Sequence, residues 1–136
     1  MAYGNHVQEY RKNAVNGASP VQLVVMLYDG ALRFMEAGKA AMLRGDLPTQ
    51  NHNLQKAQRI VLELMATLNM DQGGDISKNL MALYTFVLEQ LVEANVQDSP
   101  EPIDHAMKTM SGLRESWAEL ERQQRTGLPS GALLAA

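Results

Sequence analysis

The histidines are the side chains of this sequence best suited to acid–base or group-transfer chemistry near neutral pH. They are His6, His52 and His105, and Lys108 follows His105 by one helical turn. A phosphoryl group carried on the His105 imidazole would be stabilised by the positive charge of that lysine. The pair is therefore a candidate for phosphoryl transfer, and the alternative is that His105 is an ordinary solvated residue beside Asp104.

Other patterns that support catalysis or metal binding do not occur in the sequence. The chain has no cysteine, which excludes a thiolate nucleophile, a disulfide framework and a cysteine-rich zinc site. It has no Glu-x-x-His pair of the di-iron kind, no Gly-x-Ser-x-Gly elbow and no phosphate-binding glycine loop. Gly73 and Gly74 are better interpreted as a turn that ends a helix. We therefore predict a protein that is not an enzyme and that holds no metal or cofactor.

Composition indicates a globular domain. The 136 residues are 46% hydrophobic, and 12 basic against 15 acidic residues give a net charge of −3. This balance argues against nucleic-acid binding. No stretch is long and apolar enough to span a membrane, and the first residues lack the pattern of a secretory signal. We therefore predict a cytoplasmic protein that is not inserted in a membrane.

Four segments show the capped start and the apolar periodicity that are typical of α-helices. Ser19 with Pro20, and Ser99 with Pro100, each place a capping residue before a proline in the first turn. Asp46 and Asp75 are the predicted caps of the other two helices. The predicted helices run over residues 21–43, 48–68, 75–95 and 101–124.

Each predicted helix has a set of apolar positions spaced three and four residues apart, which predicts one buried face. In the first helix these are Val24, Leu27, Ala31, Phe34, Gly38 and Ala41, and in the second Leu54, Ala57, Val61, Leu64 and Leu68. In the third they are Ile76, Leu80, Leu83, Val87, Leu91 and Ala94, and in the fourth Ile103, Ala106, Met110, Leu113, Trp117 and Leu120. Four such helices with short connections predict an all-α fold, an antiparallel up-down four-helix bundle.

The bundle is predicted to occupy residues 19–124. Residues 1–18 form an N-terminal arm that could fold as a short capping helix and dock through its tyrosines. Residues 125–136 carry glycine, proline and little charge, and they are predicted to be a disordered tail.

Several apolar residues lie beside the predicted core positions. Some of them would widen the buried face, and the remainder would form an exposed patch suited to a partner helix. They are Leu23, Val25, Met26, Tyr28, Leu32 and Met35 in the first helix, Ile60, Leu62 and Met65 in the second, and Met81, Tyr84, Phe86 and Leu88 in the third. The residues alone thus favour a helical bundle that binds a helix.

Blocks of the sequence resemble the FliS family of flagellin export chaperones. The first block is Ala18-Ser19-Pro20 followed by Leu23-Val24-Val25-Met26-Leu27-Tyr28-Asp29-Gly30-Ala31. The others are Lys56 to Leu64; Gly73-Gly74-Asp75-Ile76 with Asn79-Leu80, Leu83-Tyr84 and Leu91 to Asn95; and Leu113-Arg114-Glu115-Ser116-Trp117. The resemblance covers residues 3–120 in order, and the tail after Gln124 has no counterpart in it.

The resemblance implies a non-catalytic cytoplasmic chaperone. It would bind the disordered C-terminal segment of flagellin, prevent premature polymerisation and assist delivery to the flagellar type III export apparatus. The export gate and other flagellar proteins are further implied partners, and the protein would be a monomer or a weak dimer. The predicted partner-binding residues are Tyr3, Tyr10, Leu23, Met26, Tyr28, Ile60, Met65, Tyr84 and Leu88. In the family the N-terminal arm can cover a groove that the client takes, which assigns this role to residues 1–18.

Two other functions stay open at this point. The His105-x-x-Lys108 pattern resembles histidine phosphotransfer domains, although Thr109 stands where those domains tend to have glycine. The third possibility is a purely structural bundle that associates with itself.

Overall fold

The computed structural model describes residues 17–127, and within this range all regular structure is helical. The helices are α1 (Pro20–Leu43), α2 (Leu47–Ala66), α3 (Gly74–Gln97) and α4 (Pro100–Arg125). The predicted all-α four-helix bundle is confirmed, with helix bounds within about two residues of those expected from the sequence. Most of the predicted arm and tail lie outside the described residues, so both stay predictions.

Three of the four predicted helix starts are confirmed. Ser19 caps α1 through a capping box, in which its hydroxyl accepts from the Gln22 backbone while the Gln22 side chain accepts from the Ser19 backbone. Asp46 caps α2 by accepting from the Thr49 backbone. Ser99 occupies the N-cap position of α4, although its side chain makes no capping hydrogen bond.

The predicted cap of α3 is wrong by two residues. Its N-cap is Gly73, and Asp75 lies in the first turn. The Ser77 hydroxyl donates to the Asn69 carbonyl across this turn, and a Cβ atom added at Gly73 would lie 2.6 Å from that same oxygen. Glycine is therefore required there by the close packing of the turn.

Polar contacts along α1 and α4 show that these helices are antiparallel neighbours. Gln22 at the start of α1 donates to Glu121 near the end of α4, and Arg114 donates to Asp29 at 2.8 Å in the middle. Near the other end, Lys39 pairs with Asp104 at 2.7 Å. Asp29 thus joins α1 to its neighbour α4. Both ion pairs are partly exposed, so each contributes little to stability, and their main effect is on register.

Side-chain amides join α2 to α3 at one end of the bundle. The Gln50 amide donates to the side chains of Asn95 and Asp98, at 3.1 and 2.8 Å. The Asn95 amide in turn donates to Asn51 at 2.7 Å. These bonds link the first turn of α2 to the last turn of α3, so this pair of helices is also antiparallel.

The core contains most of the predicted positions. In α4 the structure buries Ile103, Ala106, Met110, Trp117 and Leu120, and in α2 it buries Leu54, Ala57, Val61 and Leu64. Gly30 and Ala31 are both buried, and a Cβ atom added at Gly30 would lie 3.4 Å from Ile60. Five predicted core positions are only partly buried: Val24, Phe34, Leu68, Ile76 and Leu113.

In α3 four of the six predicted core positions are confirmed, and another, Leu83, is wrong. Leu83 is 38% exposed, and Tyr84 takes the core position instead. Leu80, Tyr84, Val87, Leu91 and Ala94 form the buried row. A row of apolar residues spaced three and four apart can pass through either Leu83 or Tyr84. The sequence pattern alone therefore does not show which of them is buried.

A hydrogen-bonded aromatic cluster made of Tyr28, Tyr84 and Trp117 ties three helices together inside the bundle. The Tyr28 and Tyr84 hydroxyls are 2.5 Å apart, and the Trp117 indole donates to the Tyr28 hydroxyl at 3.2 Å. All three side chains are buried. The cluster satisfies polar atoms that would otherwise destabilise an apolar core. Burial is the main reason that the pKa values of both tyrosines lie above the ordinary value of 10.0.

The raised tyrosine pKa values predict a loss of stability at alkaline pH. In the unfolded chain both phenols ionise near pH 10, whereas the fold keeps them protonated to higher pH. Their contribution is therefore fully present below pH 10 and is lost as the pH rises further, by about 1.4 kcal/mol per pH unit for each tyrosine. Denaturant unfolding of the protein and of Tyr84→Phe between pH 8 and about 11.5 would measure this. The variant should lose less stability over that range, and equal slopes would contradict the prediction.

Candidate functional site

The predicted partner-binding residues fall into three groups. Tyr3 and Tyr10 lie outside the described residues. Leu23, Tyr28, Ile60 and Tyr84 are buried in the core, so the expectation that they flank it at the surface is wrong. Met65 and Leu88 are partly buried against the core, and Met26 is largely exposed. The four buried side chains lie within the wide buried faces of α1, α2 and α3. A partner could contact them only if the bundle opened.

The junction between α2 and α3 brings other apolar residues together. Its position is fixed by the hydrogen bond between Asn51 on α2 and Asn95 on α3. Residues 7, 11 or 14 positions apart lie on nearly the same side of an α-helix. Counting from Asn51 along α2 therefore places Leu62 and Met65 at this junction.

The same counting backward from Asn95 along α3 places three more apolar residues at the junction. Leu88 and Met81 lie 7 and 14 positions before Asn95, and Val92 lies 3 positions before it, on the neighbouring turn. Tyr84, 11 positions before Asn95, is on the same side of the helix but is buried in the core. We call the five apolar residues Leu62, Met65, Met81, Leu88 and Val92 the α2–α3 groove. Met65 and Leu88, two of the predicted partner-binding residues, belong to it.

The α2–α3 groove is open to solvent along its length. Leu62 is 50% exposed and Val92 is 48% exposed, whereas Met65, Met81 and Leu88 are partly buried. On α3 itself, Leu88, Val92 and Val96 line a shallow depression of about 430 Å³ together with Glu89, Glu93 and Gln97. Exposed apolar patches are found more often at protein-binding sites than on the rest of a protein surface. The shape of the α2–α3 groove, between two antiparallel helices, suits an amphipathic helix.

Leu62 and Met81 are predicted from the sequence to be apolar residues beside the core, but they are not predicted to belong to the site. Val92 is not predicted at all. The spacing of Leu88, Val92 and Val96, each one turn after the last, was a usable signal for an apolar stripe on α3. The carboxyl group of Glu63, beside Leu62 in the chain, is partly buried, and this burial raises its pKa.

The surroundings of His105 do not favour phosphoryl transfer. Its Nδ1 atom lies 3.1 Å from the Gln90 side-chain oxygen, and its Nε2 atom lies 3.9 Å from a Glu101 carboxylate oxygen. A phosphoryl group on Nε2 would therefore be placed next to a negative charge. His52 lies on α2, away from His105 in the chain, and His6 is outside the described residues.

Residues 17–127 contain neither a metal-binding cluster nor a membrane-spanning helix. In this range no three His, Asp or Glu side chains are grouped so that they could hold a metal ion. None of the helices described there is both long and apolar enough to cross a membrane.

The structure defines a small antiparallel four-helix bundle. A family model described as "Flagellar protein FliS" matches residues 3–124. The chain therefore belongs to the FliS family of flagellar secretion chaperones.

Three relatives illustrate the similarity, and each is named a flagellar secretion chaperone FliS. The protein of Vibrio cholerae is 36% identical over 118 residues, which are 84% of this chain and 87% of the relative. The Bacillus subtilis protein is 33% identical over 93% of this chain and 96% of its own length. The Campylobacter jejuni protein is 30% identical over 85% of this chain and 90% of its own length.

Proposed function

We propose that this protein is a cytoplasmic export chaperone that binds the C-terminal segment of flagellin in the α2–α3 groove. The observation that carries the proposal is the exposed apolar surface of Leu62 and Val92 on a chain of this family. The protein would act by binding alone, without catalysis, a metal or a cofactor.

The groove supplies the physical means of binding. A disordered client that folds as an amphipathic helix buries its apolar face against the groove and loses conformational entropy as it orders. Part of the contact free energy therefore offsets that ordering, which keeps the complex reversible. Methionines at positions 65 and 81 are flexible and polarisable, and they can adapt to a client helix.

Covering the apolar face of the client has two consequences in this proposal. The covered face is the one that would otherwise pack with other flagellin molecules, so premature polymerisation is prevented. The client is also kept unassembled for delivery to the flagellar type III export gate, which we propose as a further partner together with other flagellar proteins.

The proposal predicts that charges in the groove weaken client binding without unfolding the bundle. Leu62→Asp and Val92→Asp should each reduce affinity for the last 40–60 or so residues of flagellin about tenfold, or about 1.4 kcal/mol. Both side chains are half exposed, so the helices should remain intact. Pull-down and calorimetry with the flagellin fragment would measure binding, and circular dichroism would monitor the fold.

Leu43→Asp is the matched control for this experiment. Leu43 is 68% exposed and ends α1, a helix that contributes no residue to the α2–α3 groove, so the same chemical change there should leave affinity unchanged. Equal affinity of all three variants and the parent would contradict the placement of the client in the groove. A parent protein that does not bind the flagellin fragment at all would contradict the proposed function.

The N-terminal arm is proposed to compete with the client through Tyr3 and Tyr10. Deletion of residues 2–15 should then raise the affinity for the flagellin fragment by about threefold to tenfold, because the client no longer has to displace the arm. Substitution of both tyrosines by alanine in the full chain should also raise the affinity for the flagellin fragment. Unchanged or reduced affinity in both proteins would argue against competition by the arm.

A further inference from the structure

The side of α3 opposite the α2–α3 groove carries a second set of exposed apolar residues. The His105–Gln90 contact fixes the junction between α3 and α4. Phe86 and Leu83 lie 4 and 7 positions before Gln90, and Gly112 lies 7 positions after His105. Because the connection between α3 and α4 is only two residues long, the helices run antiparallel, and these residues share the junction.

This second surface, the α3–α4 groove, consists of Leu83, Phe86 and Gly112. Leu83 and Phe86 are each 38% exposed. Two packed helices could have buried these large apolar side chains between them, but they do not. The two side chains lie one turn apart and so present two apolar contacts to whatever lies along the groove.

Gly112 has no role in the packing of the described residues. It lies in the interior of α4 and is exposed, and a Cβ atom added to it would meet nothing within 4 Å. Glycine in an exposed helix interior destabilises the helix relative to alanine. The fold therefore does not explain this glycine, whereas close approach of a partner backbone over α4 would.

Charge at one end of the groove indicates the chemistry of the partner. Phe86, Gln90 and His105 line a depression together with Glu93 and Glu101, and no lysine or arginine is among the described residues that line it. Both glutamates are exposed and face one opening. Phe86 and Glu93 are seven residues apart, or about 10 Å along α3. A lysine or arginine two turns beyond an apolar pair would match this arrangement.

We propose that the α3–α4 groove is a second docking site, which takes an amphipathic helix of another protein that carries basic residues two turns from its apolar pair. The apolar pair packs on Leu83 and Phe86, the partner backbone approaches Gly112, and the basic end pairs with Glu93 and Glu101. The site shares no apolar residue with the α2–α3 groove, although Glu93 borders the depressions on both sides of α3. The proposal does not depend on the identity of the client.

Two synthetic helices test the proposal on the full chain labelled with ¹⁵N. One is an alanine-rich peptide of about fifteen residues with two leucines one turn apart and two lysines two turns further on, and the other has glutamates in place of the lysines. The lysine peptide should shift the amide signals of Leu83, Phe86 and Gly112. The glutamate peptide should bind at least about fivefold more weakly, and added salt should reduce the difference.

Three variants sharpen the test. Gly112→Leu fills the groove, and the open space around Gly112 allows the bundle to fold, so it should abolish the shifts while circular dichroism is unchanged. Glu93→Gln combined with Glu101→Gln should make the two peptides equal. Leu62→Asp, in the other groove, should leave binding of the lysine peptide unchanged.

Three outcomes would overturn the proposal. One is equal binding of the two peptides to the parent, or no binding of either. Another is a set of shifts that maps to the α2–α3 groove. The third is the same set of shifts when the unlabelled chain alone is added, which would show that a second copy of this chain occupies the surface. None of these outcomes bears on flagellin binding, which the flagellin fragment tests separately.

Discussion

Replacing Ile60 by aspartate is expected to unfold the bundle rather than to disturb a binding surface. Ile60 is 1% exposed and packs against the close-approach position Gly30 on α1. A carboxylate there would lose its hydration without gaining a partner, which costs more than about 4 kcal/mol. That is a large fraction of the roughly 5–15 kcal/mol that stabilises an ordinary domain. Urea unfolding followed by circular dichroism would show a weak transition or none.

Leu62→Asp, two residues further along the same helix, is the matched comparison. Its side chain is half exposed, so the new charge stays hydrated and the fold should lose less than about 1 kcal/mol. Binding of the flagellin fragment should instead be reduced. Retention of a cooperative fold by Ile60→Asp would contradict the assignment of Ile60 to the core.

Replacing Tyr28 by alanine should have an effect of similar size through a different mechanism. The side chain is fully buried, and its removal leaves a cavity that costs about 3–5 kcal/mol. The substitution also removes the hydroxyl that accepts from the Trp117 indole and bonds to the Tyr84 hydroxyl. Both partners would then be buried without their hydrogen bond, which adds to the loss.

Tyr28→Phe separates the two contributions. It keeps the ring and removes only the hydroxyl, so it should cost about 1–3 kcal/mol. The free energy of unfolding from urea titration of both variants would measure the difference. Equal losses in Tyr28→Ala and Tyr28→Phe would mean that the ring contributes nothing by packing, which would contradict its position in the core.

The helices could be predicted from the sequence because local residues determine them. Ser19 with Pro20 and Ser99 with Pro100 start helices through short-range geometry, and most core positions of α2 and α4 follow from their spacing. The prediction failed in α3, where Leu83 and Tyr84 are adjacent. Tyr84 is inside because its hydroxyl meets Tyr28 and its ring packs in the core, and this pairing depends on a residue 56 positions away.

The groove could be predicted only in part. The sequence identified Leu62, Met65, Met81 and Leu88 as apolar residues beside the core, and two of them were chosen for the site. It could not show which side of α2 faces which side of α3, because that depends on how the helices pack. The contact between Asn51 and Asn95 supplies this information. The helices also bury wider faces than predicted, so Leu23 and Ile60 are in the core and not at the surface.

The ion pairs and hydrogen bonds between neighbouring helices are unevenly distributed, and this has a mechanical consequence. Within residues 17–127, both ion pairs that join different helices connect α1 to α4, and they lie at the middle and at one end of that pair. The amide bonds between α2 and α3 lie only at the Gln50 end. Polar contacts therefore fix the register of α1 and α4 along most of their length, and that of α2 and α3 at one end. The amide bonds do not reach the Met65 end of α2, so α2 and α3 can separate there without breaking them.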